Sequence, residues 1–254
     1  MIERIENILQ LCHTEQSAMP PTKLYCEDWL LRVTLDWFAD HPDVHHELRI
    51  PNGIRWYSEA LLASQFLQNP PAQNGVRLKE NYTHADGAIG NFDIGHLGEG
   101  DLSLDNAATH FVVLEAKVNS KLSKRITNDP NYDQAARTVA CMGHIISVAQ
   151  RQSADINTLG FFVVAPASRI DKGIFADELA IDSIINKVST RVENYNTPAK
   201  QVWFNEWFLP MLEFIDIAPV SWENIRDTIS NVNANDGESF SQFYQRCLHY
   251  NGVI

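Results

Sequence analysis

Residues 111–118 read FVVLEAKV, an apolar run into which one carboxylate and one amine are set two positions apart. Alternate residues of a strand share a face, so Glu115 and Lys117 point to one side, and Val112, Leu114, Ala116 and Val118 to the other. A core strand retains charges only where they pair, bind an ion or face a cleft, because burying them alone is costly. An acid two residues ahead of a lysine occurs once in this chain, here.

Upstream, residues 76–81 and 84–94 read as further extended segments. The turn that leads from the second of these into residues 110–118 carries Gly95, Gly98 and Gly100. The three form an antiparallel meander, and Asp86, in HADGAIG, stands at the head of its middle segment. Residues 56–67 read as a helix before the meander. Residues 132–150, with Ala135, Ala136, Val139, Cys141, Met142, Ile145 and Ile146 at helical spacing, form a helix after it. Residues 159–165 are a short, almost wholly apolar strand of the kind buried on both faces.

Outside this core, residues 2–12 and 23–38 read as amphipathic helices, and residues 40–52 as a loop with a short extended piece at 47–50. Toward the C-terminus the pattern gives helices at 171–188 and 202–214, a strand at 215–220, a helix capped by Ser221, and a last helix at 239–250. The 254 residues suit one domain, 1–254, with a core at about 54–166 and helical additions at 1–53 and 167–254.

Composition bounds the function. Hydrophobic residues make up 44% and charged residues 20%, the balance of an ordinary globular chain. No apolar run approaches a membrane span, so a cytoplasmic protein without a membrane partner is expected. Cys12, Cys26, Cys141 and Cys247 are scattered, which fits packed thiols rather than a zinc site or a disulfide framework. No phosphate-cradling GxxxxGK[ST] stretch is present, which removes ATP-driven chemistry. The net charge of −12 opposes nucleic-acid binding, but residues 116–140 hold Lys117, Lys121, Lys124, Arg125 and Arg137 against only Asp129 and Asp133.

Two carboxylates, Asp86 and Glu115, are what a magnesium ion needs from a protein when water and a substrate phosphate complete its shell. In this respect the chain resembles the PD-(D/E)xK nuclease superfamily. Asp86 corresponds to the metal-binding aspartate, with Ala85 where the family name has proline, and Glu115 and Lys117 to the acid and lysine of the second half. Glu59, in WYSEALLASQF, corresponds to the acid many members carry on the preceding helix. Gln134 and Arg137, in YDQAAR, look like a QxxR pattern on the following helix.

The resemblance implies an α/β fold with a restriction-endonuclease-like core: helix, three-stranded meander, helix, strand, with a mixed central sheet flanked by helices and with added N- and C-terminal helices. It also implies a Mg2+-dependent (or Mn2+-dependent) hydrolase of DNA, with Asp86, Glu115 and Glu59 as metal ligands and Lys117 and Gln134 completing the catalytic set. Lys121, Lys124, Arg125 and Arg137 would meet nucleic acid, and a homodimer would supply two active sites for cutting a duplex. The alternative is a non-catalytic nucleic-acid- or partner-binding protein that keeps the nuclease fold.

Overall fold

The computed structural model describes residues 2–12, 14, 18–67, 80–95, 101–124 and 131–254. A mixed five-stranded sheet runs through it in the order β1-β2-β5-β6-β7, formed by Arg55–Leu62, Thr83–Gly90, His110–Ala116, Thr158–Ala165 and Asp216–Ser221. The first three are antiparallel neighbours, and β6 and β7 join in parallel. Between β2 and β5, the strands β3 (Phe92–Ile94) and β4 (Leu102–Leu104) form a separate two-stranded ribbon.

The helices are α1 (Ile2–Gln10), α2 (Glu27–Asp40), α3 (Gln134–Val148), α4 (Ala167–Ile170), α5 (Ala176–Leu179), α6 (Ile181–Tyr195), α7 (Pro198–Trp203), α8 (Leu209–Met211), α9 (Trp222–Val232) and α10 (Ala234–Tyr250). A π-helical turn, Phe204–Phe208, joins α7 to α8. Side-chain caps fix helix starts by supplying an oxygen to a free backbone N–H. Asp133 accepts from Ala136 N at the head of α3, and Ser221 accepts from Asn224 N at the head of α9.

The alternation read from FVVLEAKV sorts the core. Phe111 and Val113 of β5 join the apolar cluster under α3, α6 and the aromatic run Trp203, Phe204 and Phe208. Val112, Leu114 and Ala116 join the cluster under α2, α9 and α10. Every residue of β5 is buried, as expected of a central strand. Gly90, where β2 lies between β1 and β5, is needed for its lack of a side chain: a Cβ there would stand 2.4 Å from the His110 carbonyl oxygen. Gly90→Ala is expected to lower unfolding free energy by about 1–3 kcal/mol, read as a shifted urea midpoint with an unchanged slope.

Several expectations are corrected. Residues 56–67 are not a helix: Arg55–Leu62 is the edge strand β1. The helix ahead of the meander is α2, which lies in the stretch read as an N-terminal addition and packs on β1, β2 and β5. The strand expected at 76–81 falls mostly outside the described residues, and β1 takes its place in the meander. Residues 84–94 are two strands rather than one, broken at Asn91, whose side chain accepts from Thr109 N and His110 N. The helix expected at 171–188 is divided between α5 and the first part of α6, after a turn. Residues 47–50 form no strand. All four cysteines are free, and among the described residues no helix is long and apolar enough to cross a membrane.

Candidate active site

The ladder between β2 and β5 runs from Gly90 opposite Phe111 to Gly87 opposite Leu114 and stops there. Asp86 and Glu115 are the next residues along, so both carboxylates stand where the two strands part. Asp86 Oδ2 accepts from Ala116 N at 2.7 Å, taking the backbone donor left without a strand partner. The same oxygen accepts from Lys117 Nζ at 3.4 Å, and Nζ also donates to Glu115 Oε2 at 3.4 Å. On its other side β5 stays paired with β6, and Lys117 N donates to Val164 O. Trp222, the first residue of α9, donates its indole N–H to Lys117 O at 3.0 Å.

Helix α3 holds the second carboxylate. Gln134 Nε2 donates to Glu115 Oε2 at 2.6 Å, and Thr138, one turn on, donates to Glu115 Oε1 at 3.3 Å. Gln134 Oε1 accepts from Ser123 N, so the amide's orientation is fixed by both of its ends. Glu115 is fully buried, and burial, reinforced by the Asp86 charge and opposed by Lys117, pushes its pKa up to about 8. Burial also opposes the charge on Lys117, but Asp86, Glu115 and Glu27 outweigh it and hold its pKa above the ordinary lysine value.

The raised Glu115 pKa has a definite sign in stability. Between the unfolded value near 4.5 and the folded value near 8, the folded chain keeps a proton that the unfolded chain has lost, so stability falls as pH rises through that window. In Glu115→Gln this component is absent. Urea melts of the metal-free protein at pH 5 and pH 8 are expected to differ more for the wild type than for the variant. Equal pH dependence of the two would overturn the assignment of Glu115 as a buried, proton-holding carboxyl.

Glu59 is not on the preceding helix, a correction to its expected placement. It lies on β1 with φ +59, a left-handed conformation uncommon for a residue with a side chain. Ser58 pairs with Gly87 and Ala60 with Ala85, which sets Glu59 across from Asp86. The left-handed step lets Ser58 and Glu59 both turn toward α2: Arg32 donates to Ser58 Oγ at 2.8 Å and to Glu59 Oε1 at 3.3 Å. His84 Nδ1 lies 3.8 Å from Glu59 Oε2. Burial, with Asp28 and Asp86, raises the Glu59 pKa against Arg32 and His84. Backbone strain of this kind persists where the surroundings impose it, often at functional sites.

An acid that no motif singles out, Glu27, also lies near the fork, in the first turn of α2. Burial raises its pKa; Lys117 opposes the shift, and Asp28 and Asp86 add to it. Its carboxylate accepts from Ser120 Oγ at 3.3 Å. Asp86 is thus felt by Glu27, Glu59 and Glu115, with Lys117 as the cation between the strands. Among the described residues no group of three or more His, Cys, Asp or Glu side chains is arranged to hold a metal ion. Asp86 and Glu115, however, converge on one ammonium amid mutually repelling carboxylates, a donor set that fits a hard divalent ion with most of its shell left to water and phosphate.

The expected nucleic-acid contacts fare differently. Arg137 turns inward, donating to Asn81 O at 2.7 Å with Nε 3.7 Å from Glu80, so it anchors the approach to β2. Lys124 pairs with Glu178 at 3.0 Å, and Lys121 is exposed. Arg125 lies outside the described residues. The chain matches no family model, no curated protein and no solved structure.

Proposed function

We propose that this chain is a metal-dependent nuclease of the PD-(D/E)xK type that hydrolyses phosphodiester bonds in DNA. The observation carrying this reading is the fork between β2 and β5, where Asp86 and Glu115 meet the Lys117 ammonium and Gln134 holds Glu115 in place. Asp86 and Glu115 would hold the ion, magnesium or manganese, and a bound ion there supplies Lewis acidity toward a phosphate oxygen and a more acidic water. Lys117, kept as a cation by its neighbours, is suited to stabilise charge developing on the phosphate rather than to remove a proton. Gln134 and Thr138 orient Glu115, and Glu27 supports the Asp86 and Lys117 end of the site.

The test incubates purified protein with linear, circular and single-stranded DNA in magnesium, manganese or chelator, beside Glu115→Ala. Metal-dependent cleavage lost in the variant is expected. Glu27→Gln is expected to slow cleavage by on the order of 10–100-fold, the effect of losing support around a metal ligand; an unchanged rate in single-turnover assays would remove Glu27 from the site. A second reading, a binding protein that keeps this fold without turnover, is favoured by the complete enclosure of Glu115. Binding of DNA without product in every metal condition would select it.

A further inference from the structure

Beside the fork, α2, β2 and the residue leading into β2 present partly exposed rings. Trp29, two residues past Glu27, is 40% exposed and lies under the Arg32 guanidinium, 5.2 Å from the ring centre. Arg32 bonds Glu59, and Glu59 pairs with His84, whose side chain is 64% exposed. His84 therefore faces α2, and alternation along β2 gives Asp86 the same face, with Thr83 and Ala85 buried; Tyr82 immediately precedes the strand. Tyr82 is 38% exposed, and its carbonyl accepts from Arg137 Nη2 at 3.4 Å, which fixes the backbone that presents the ring.

Among the described residues, charge along this surface is unsuited to a duplex. Affinity for a double helix comes largely from cations set against two phosphate backbones. Here Arg32 is spent on Glu59, Arg137 turns inward, and Asp28 and Glu59 add negative charge. Affinity for an unpaired strand can come instead from bases laid on aromatic faces, which tolerates few cations.

We propose that the site takes an unpaired nucleic-acid strand, with bases stacked on Tyr82 and Trp29 and His84 between them and the fork, so that the strand passes Asp86. This rests on the nuclease reading for its purpose, but it is a statement about binding and is tested without turnover. The probe is a fluorescein-labelled 20-nucleotide single strand, as DNA and as RNA, against a DNA duplex of the same sequence. Fluorescence anisotropy is read with the full chain in chelator, where no metal-dependent cutting occurs.

The expected result is at least tenfold tighter binding of one or both single strands than of the duplex. Trp29→Ala and Tyr82→Ala should each weaken it on the order of tenfold, and Trp29→Phe should restore most of the loss. Because both rings are partly exposed, unchanged melting temperatures for these variants separate lost stacking from lost fold. Tighter binding of the duplex, or single-strand affinity unchanged in both alanine variants, overturns the proposal. Neither outcome touches the nuclease reading, which stands or falls on the cleavage assay alone.

Discussion

Lys117→Ala is expected to cut metal-dependent cleavage by on the order of 10²–10⁴-fold, the range for losing a positioned proton donor or a charge-stabilising group. The ammonium lies between Asp86 and Glu115, so its removal deprives a phosphate bound there of the cation held between these two carboxylates. The fold should survive. Without Lys117 the two carboxylates repel more strongly, Glu115 takes up a proton more readily still, and Asp86 keeps its hydrogen bond from Ala116 N. Single-turnover rates beside a thermal melt check both halves. Wild-type activity in this variant would end the assignment, whereas inactivity with a collapsed melt would call for Lys117→Met as the milder replacement.

Arg191→Met is expected to lower unfolding free energy by about 3–5 kcal/mol, the cost of leaving a buried carboxylate without its fully buried cation. Arg191 of α6 is fully buried, with Nη2 3.3 Å from Glu80 Oε1, and its guanidinium lies over Tyr132 at 5.2 Å and over Phe66 and Tyr195 at 5.7 Å. Glu80 is fully buried too, and burial raises its pKa even with Ser64, Arg191 and Arg137 beside it. In a chain of this length the loss corresponds to a melting-temperature drop on the order of 10 °C. The double variant Glu80→Gln with Arg191→Met should be more stable than Arg191→Met alone, since no orphan charge remains. A double variant that melts lower still would indicate that the aromatic packing around Arg191, not the ion pair, supplies the stability.

The legible part of the site was the part with a simple period. Glu115 and Lys117 could be read because two charges on an otherwise apolar strand must share a face. Gln134 could be read because the QxxR spacing it shares with Arg137 stands at the head of a clear helical period. β1 was misread for a physical reason. The left-handed step at Glu59 turns Ser58 and Glu59 the same way, which breaks the alternation that marks a strand and leaves RWYSEALL looking helical.

Glu27 was hidden for a different reason. An acidic pair in the first turn of a helix is what the helix dipole favours anyway, so Glu27 and Asp28 carry no signal beyond capping until α2 is docked on the sheet. The inward turn of Arg137 was equally invisible, because its partner Glu80 is 57 residues away by number and joins only through the fold. Basic residues near a motif do not announce which way they point.

The hydrogen bond from the Trp222 indole to the Lys117 carbonyl has a consequence in time rather than in space. The two residues are separated by 105 positions, so at roughly 5–20 residues per second a ribosome makes Lys117 about 5–20 s before it makes Trp222. During that interval the strand bearing the acid and the amine lacks both the donor for its carbonyl and the α9–α10 pair that covers Val112, Leu114 and Ala116. The fork between β2 and β5 therefore gains this hydrogen bond and the cover of α9 and α10 only late in synthesis, when the C-terminal helices reach the sheet.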